Sequence, residues 1–415
     1  MRARLQSSDR LVKLSLSLDP EDELPAVGQQ GMRIELVTNG ATIRLPRGER
    51  QAHPDLMALV VLTILRPWCR RRLLVEGGVS RAFATAVHAA MSIEIGPVDD
   101  ALEQRAAGSQ LGLLYSGGPD CMAAAVLIGQ EMPLFHLKRV KHPRIPDRAN
   151  HVRVDVNEAL VRRVEERGEE VHLAETDLEY LCRPFPTYPQ WTALATGPLL
   201  QADELDLGGL VTGRNISGMY LRWGMQFDSS GDDEEAWDAV FAAVGVPLVQ
   251  PLAGASDVSN MRIARDYRHY DLARSCQLGT LEGPCSRCRK CLTKELIRAS
   301  LEGRSLPDDL VAGVSGNESV VAAFSGPPPY DGQHTLVYTL ARVPGLEETF
   351  LAGALQRLQP SVEGSVWVDR FYGPALEPHV PSHLVSAVRE AIEKRIGWMT
   401  DAEERIVETW DGSGP

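Results

Sequence analysis

Apolar residues recur with two different periods along this chain, and the change of period divides it. In the first hundred residues, Arg33 to Thr38 and Ala41 to Leu45 are β-rich runs joined by Asn39-Gly40. This predicts a hairpin, because Asn-Gly readily takes the positive φ angles of a two-residue turn. Pro54 then suits the first turn of a helix, and the stretch from Asp55 to Arg72 contains Leu56 to Leu65, a continuous apolar or small run of the kind found in buried core helices. A second helix is expected near Val79 to Met91. Residues 1–105 are therefore expected to form a separate α+β domain.

From Leu111 to about Ser300 short apolar runs alternate with helical segments, the pattern of a doubly wound parallel sheet. Strands are expected over Leu111–Tyr115, Leu134–Leu137, His151–Val156, Val171–Ala174, Leu210–Thr212 and Pro247–Gln250. Helices are expected after Asp120 and near Glu158–Arg167 and Pro198–Glu204. The fold class is α/β, with the chemistry assigned to a domain over residues 106–303. Gly231 to Glu235 reads as a solvated acidic turn or helix start. The run Ser325 to Gly332, rich in proline and glycine, breaks the chain before a C-terminal segment, 304–415, in which Val380 to Thr400 predicts an amphipathic helix.

Composition narrows what such a chain can do. Its 43 Lys plus Arg are outweighed by 56 Asp plus Glu, a net charge of −13, so no general attraction for nucleic acid or an anionic membrane is encoded. The longest apolar run, Leu56 to Leu65, falls well short of the roughly 20 residues that span a bilayer. No signal peptide opens the sequence, so a cytoplasmic protein is expected. Among the 7 cysteines, Cys69 and Cys182 read as small buried hydrophobes.

Candidate chemistry sits in two places. An apolar strand, Leu111 to Tyr115, runs into Ser116-Gly117-Gly118-Pro119-Asp120-Cys121 and then into a helix-forming stretch, which is where open α/β sheets bind anions. The two glycines let backbone N–H groups face a phosphate, Ser116 adds a hydroxyl, and Asp120 is placed to cap the helix or orient a metal. Neither G-x-G-x-x-G nor the Walker pattern is present, which argues against dinucleotide binding and Walker-type ATPases. Further along, Cys276, Cys285, Cys288 and Cys291 follow C-x8-C-x2-C-x2-C. Four thiolates at that spacing close a tetrahedral site with no position left for water, pointing to a structural Zn2+, with an iron–sulfur cluster as the competitor.

These residues carry a resemblance. Ser116 to Cys121 resembles the PP-loop, Ser-Gly-Gly-x-Asp-Ser, of the N-type ATP pyrophosphatases, with Cys121 in place of the last serine. Ser275-Cys276 and Pro284-Cys285 to Cys291 look like the zinc motif of the 7-cyano-7-deazaguanine synthase family, whose cysteine spacing is the same. Gly213-Arg214-Asn215 to Tyr220 is similar to that family's Gly-Val-Asn…Tyr-Ser-Gly-Tyr segment. The family's Tyr-Gly-Gln-x-His has no counterpart in His136 to His142, and its Pro-x-Arg-Asn is here Tyr188-Pro189-Gln190-Trp191. A recast acceptor pocket is therefore expected.

The resemblance implies an adenine nucleotide alpha hydrolase (PP-loop) core that binds ATP with Mg2+ on Ser116, Gly117, Gly118, Asp120 and Cys121, with Gly213 and Asn215 nearby. It implies Asp120, Ser116 and Arg214 as catalytic residues and Zn2+ on Cys276, Cys285, Cys288 and Cys291. The activity implied is ATP-dependent C–N ligation: a carboxylate, 7-carboxy-7-deazaguanine or similar, is adenylylated and then attacked by ammonia or an amine. Lys138, Arg139, Lys141 and Arg214 are further candidate cations. Expected partners are the small acid, the amine donor and, in one variant, a protein acceptor to which the base is conjugated in antiphage defence. A membrane and nucleic acid are not expected, and a homodimer is left open. Two other classes compete: a PP-loop sulfur transferase using Cys121 or Cys182, and a nucleotide-binding module without catalysis.

Overall fold

A computed structural model of the protein describes residues 1–411 apart from 23–24, 28–31, 47–51, 141–153, 186, 223–225, 229–231 and 277. The chain forms two compact units, each assembled from several stretches. The first comprises Met1–Ser116, Glu131–Val211 and Asp232–Val249, and the second Gly117–Gln130, Thr212–Gly231 and Gln250–Pro415.

Among the described residues the first unit holds thirteen strands: β1 (Arg2–Ser8), β2 (Leu11–Ser17), β3 (Ala26–Val27), β4 (Arg33–Leu36), β5 (Gly40–Arg44), β6 (Arg72–Ser80), β7 (Glu94–Asp99), β8 (Gln110–Leu114), β9 (Leu134–Arg139), β10 (Val171–Thr176), β11 (Cys182–Arg183), β12 (Leu207–Val211) and β13 (Leu248–Val249). Ten of them make one sheet in the order β13-β12-β8-β9-β10-β5-β2-β1-β6-β7. From β13 to β10 every pairing is parallel, as the alternation of apolar runs and helices predicts for strands joined by crossovers. The sheet then turns antiparallel through β5, β2 and β1, with Thr176 opposite Ile43, and parallel again through β6 and β7. Five strands of residues 1–105, β1, β2, β5, β6 and β7, are thus hydrogen-bonded into the same sheet as those of the α/β segment, whereas β3 and β4 form a smaller sheet with β11. The expected buried helix is Pro54–Leu65, with Pro54 in its first turn and Leu56, Leu59, Leu62 and Leu65 fully buried.

Two local expectations fail and one strand goes unforeseen, each for a physical reason. The Asn39-Gly40 hairpin does not form: β4 pairs with β3 and β11, whereas β5 pairs with β2 and β10. Gly40 is required for a different reason, since a Cβ there would lie 2.3 Å from the Leu14 carbonyl oxygen of the neighbouring strand. The strand expected over His151–Val156 falls partly outside the described residues, and from Val154 the chain is helical to Glu166. Strand β6 was not expected, because Gly77 and Gly78 at positive φ interrupt its alternation where the register with β7 shifts.

In the second unit the Pro119–Ile128 helix packs on helices Asp257–Ala264 and Ser382–Arg395, the latter lying within the amphipathic stretch expected from Val380. A separate apolar cluster joins Cys276, Cys291, Leu292 and Leu296 to Leu310, Phe324, Leu336 and Leu351. The C-terminal segment therefore packs directly on the cysteine-bearing helix, Arg289–Glu302. No helix among the described residues is long and apolar enough to cross a membrane.

Asp55, fully buried at the start of the Pro54–Leu65 helix, accepts hydrogen bonds from the Ser80 N–H at 2.7 Å and the Ser80 hydroxyl at 2.6 Å. Ser80 in turn caps the Arg81–Met91 helix. Asp55→Ala should cost about 2–3 kcal/mol of stability by leaving those donors unpaired. Urea unfolding measures this, and a change below about 0.5 kcal/mol would show that the link is dispensable.

Candidate functional site

The loop after β8 is built for close approach. Ser116 ends the first stretch of the first unit, and Gly117 and Gly118 begin the second unit. Gly117 has φ +75°, and a Cβ placed on it would meet nothing within 4 Å, so backbone conformation and not crowding demands glycine. Gly118 is the N-cap residue of the Pro119–Ile128 helix and Pro119 occupies the first turn, where no N–H is needed. Gly118 has no side chain with which to cap this terminus, and the Asp120 carboxylate in the first turn accepts a hydrogen bond from its own backbone N–H. The Gly117 carbonyl accepts a 2.8 Å hydrogen bond from the Arg274 N–H. Cys121 is buried, and its thiol donates to the Gly118 carbonyl at 3.0 Å. Gly213 passes so close that a Cβ would lie 2.9 Å from the Asp120 carbonyl carbon and the Cys121 nitrogen.

Beside this helix start is a cluster of charges. Asp120 accepts a 2.8 Å hydrogen bond from the Asn260 amide, and Lys294 Nζ lies 3.9 Å from its other oxygen. The same ammonium donates to Asp257 at 3.0 Å. Asn215 also donates to Asp257. Burial pushes the Asp120 carboxyl above the ordinary aspartate range, against the pull of Lys294, and the Asp257 charge adds to the rise. Asp257 is desolvated too, but the Lys294 charge, His334 and the hydrogen bonds from Lys294 and Asn215 outweigh burial and hold it below that range. Desolvation would lower Lys294, yet the two carboxylates together move it upward and keep it charged. One ammonium thus serves two carboxylates.

Around this cluster, Ser217 lies 3.2 Å from His334 Nε2, and His334 stacks on Trp367 with ring centroids 5.6 Å apart. His334 is fully buried, and burial pushes it down to about 4 despite the attraction of Asp257. It is neutral at physiological pH.

The four cysteine sulfurs lie within 4.8 Å of one another. Cys285–Cys291, Cys288–Cys291 and Cys276–Cys288 are separated by 3.7, 3.5 and 3.9 Å. Thiolates held about 2.3 Å from a tetrahedral zinc would be about 3.8 Å apart, so the spacing fits such an ion and is far too long for disulfides. Cys276 also accepts N–H groups from Leu278 and Cys285, both at 3.4 Å. Hydrogen bonds from Cys288 and Cys291 add to these and draw the Cys276 thiol far below its ordinary range. The group could hold a metal such as zinc. Cys288 is the N-cap residue of the Arg289–Glu302 helix, Cys291 lies in its first turn, and Lys294 follows one turn later.

The sequence-derived residues do not all meet here. Gly117, Gly118, Asp120, Cys121, Gly213 and Asn215 do. Arg214 turns back to donate to the Gly218 carbonyl. Lys138 is paired with Glu158 and Glu175, and Arg139 with Glu179, all within the first unit. Lys141 lies outside the described residues. Gln190, which stands where the related motif differs, donates to the Thr63 carbonyl at the end of the Pro54–Leu65 helix. Sequence reasoning missed Lys294, Asp257, Asn260 and His334. The one available signal was the i, i+3 spacing of Cys291 and Lys294, which places both on one helix face.

Two measurements follow from this geometry. The purified chain should carry one zinc-class ion per molecule, and Cys288→Ser should lose it, as read by elemental analysis; an unchanged metal content would remove the cysteine group as a metal site. His334 titrates near 6.5 when unfolded and near 4 when folded. Its contribution to stability is therefore complete above pH 6.5 and declines as pH falls towards 4, because only the unfolded chain takes up the proton. His334→Gln should flatten the loss of stability across that window by roughly 3 kcal/mol. An unaltered slope in urea unfolding would contradict the buried, neutral imidazole.

Residues 236–411 match the model of a family of unknown function (DUF6395), a stretch that takes in Asp257, Asn260, the four cysteines, Lys294 and His334. No curated protein and no solved structure matches the chain.

Proposed function

We propose that the loop from Ser116 to Cys121 grips the phosphates of ATP, which enters as its Mg2+ complex, and that the nucleotide is spent to adenylylate a carboxylate. The acid would be 7-carboxy-7-deazaguanine or a comparable small acid. A carboxylate oxygen attacks the α-phosphorus, the bond to the β-phosphate oxygen breaks, and pyrophosphate leaves. Ammonia or an amine then attacks the acyl carbon and expels AMP, a far better leaving group than oxide.

The observation that carries this reading is the form of the helix start at Gly118: an N-cap glycine with no side chain, a glycine at φ +75° beside it, and open space over Gly117. A helix N-terminus of that form suits an anion through its amide groups and its dipole. In this scheme Ser116, Gly117 and Gly118 cradle phosphate, Asp120 is the charged group of the first turn, and Gly213, Arg214 and Asn215 line the nucleotide side. Lys138 and Arg139 are already engaged by carboxylates. Arg274, whose N–H holds Gly117 and whose Nε is buried with no hydrogen-bond partner among the described residues, takes the cationic role in their place.

Sulfur transfer is less well supported. Cys182 is fully buried and burial pushes its thiol up to about 12, while the Cys121 thiol is buried against the Gly118 carbonyl. A persulfide carrier needs an accessible thiolate.

Incubation with ATP, Mg2+, ammonia and 7-carboxy-7-deazaguanine, read by mass spectrometry, should give AMP and the amide of the base or, if a second ATP adenylylates the amide oxygen and a second AMP leaves with it, the nitrile. Asp120→Asn should lower that turnover by about 10²–10³-fold. The folded protein disfavours charge on Asp120, so replacing the carboxylate with its isosteric amide should leave the thermal midpoint at neutral pH unchanged or raised. Full turnover in the variant would remove Asp120 from the mechanism, and failure of the wild-type chain to bind ATP would end the reading.

A further inference from the structure

The cysteine site and the phosphate loop are far apart in sequence but joined by two short links within the second unit. On the N-terminal side, Arg274, two residues before Cys276, donates its N–H to the Gly117 carbonyl at 2.8 Å. On the C-terminal side, the helix capped by Cys288 carries Cys291 and, one turn on, Lys294, which lies 3.9 Å from Asp120 and 3.0 Å from Asp257. Both ends of the metal-binding segment therefore end on the loop or on the first turn of the helix that follows it.

Without an ion, four thiol groups crowded within 4.8 Å have little reason to stay together. A bound tetrahedral cation fixes all four sulfurs, and with them the start of the Arg289–Glu302 helix and the chain entering Cys276. We propose that the metal-loaded cysteine site is the anchor that holds the phosphate loop in shape, with Lys294 and the Arg274 amide as its positioning groups. Lys294 is well placed for this task. Its side chain is mostly buried and shared by two carboxylates, so its position is fixed by charge as well as by packing, and a shift of the helix start would separate opposite charges in a poorly solvated place. The consequence for nucleotide affinity rests on the phosphate reading of the loop, whereas the mechanical coupling does not.

Hydrogen exchange followed by mass spectrometry separates these claims, because it requires no nucleotide. The full chain is compared as metal-loaded protein, after chelation, and as the metal-loaded Lys294→Met variant. Chelation should speed exchange at least about tenfold in peptides covering residues 274–291 and also in those covering 117–122, while the strand Leu207–Val211 keeps its protection. Lys294→Met should speed exchange in 117–122 and leave both metal content and the 276–291 peptides unchanged. Lys294→Arg, which keeps the charge, should restore part of the protection. If chelation also opens Leu207–Val211, the Lys294 variants decide alone. Unchanged exchange over 117–122 in Lys294→Met, or after a chelation that opens only 274–291, would overturn the coupling. If the coupling holds, the metal-loaded Lys294→Met variant should bind ATP at least about tenfold more weakly than the wild-type chain; equal affinity would leave the anchor standing and count against the phosphate reading.

Discussion

The sharing of the Lys294 ammonium by Asp120 and Asp257 is the constraint around which the second unit is arranged. Taking two carboxylates and an ammonium out of water costs several kcal/mol per ion unless each is met by an opposite charge and by hydrogen bonds. Asn260 and Asn215 supply those bonds, one to each carboxylate. Four separate stretches of chain are therefore needed in one place: the first turn after Gly118, the segment after Gly213, the Asp257–Ala264 helix and the helix that begins at the cysteines. The charges do not balance, since two carboxylates face one ammonium, and Asp120 bears the excess as a raised pKa. A group held in that state at a helix start whose N-cap is a glycine is suited to answer a ligand's charge.

The sequence made the ends of this arrangement legible but not its middle. Apolar runs located the parallel strands β8 and β9 because strands buried on both faces are nearly continuous in apolar residues, whereas β10, Val171–Thr176, alternates between half-buried and buried positions. The Ser116–Cys121 loop and the four cysteines were legible because glycine at positive φ and thiolates at metal spacing leave few alternatives. Asp257, Asn260 and Lys294 carry no such mark: an aspartate, an asparagine and a lysine on amphipathic helices look like surface residues until the fold brings them to one carboxylate. Asn39-Gly40 misled for a related reason, since glycine served a close approach to Leu14 and not a turn. Residues 1–105 read as a separate domain because hydrophobic pattern describes each strand's faces and not its neighbours, and β5 finds its neighbour in β10.

The cysteine group takes on a wider role in this setting. A four-thiolate site is commonly a staple for a segment too small to fold alone. Here its sulfurs belong to the same apolar cluster as the C-terminal helices, through Cys291, Leu292 and Leu296. The segment after residue 304 therefore has a physical task of its own: it covers the helix that carries Lys294. It also contributes His334, buried and neutral beside Ser217. The stretch matched by the family of unknown function contains the cysteines, Lys294 and His334 but begins after both Ser217 and the Ser116–Cys121 loop, at residue 236.

The claim that nucleotide is spent to activate an acid is tested most directly by following oxygen atoms. A substrate whose carboxylate carries heavy oxygen is turned over with ATP and ammonia, and the AMP is examined by mass spectrometry. Attack of the carboxylate on the α-phosphorus predicts AMP bearing one heavy oxygen taken from the acid. AMP or ADP free of the label, formed at the same rate as product, would contradict the account, because the bond between carboxylate oxygen and phosphorus would then never have formed.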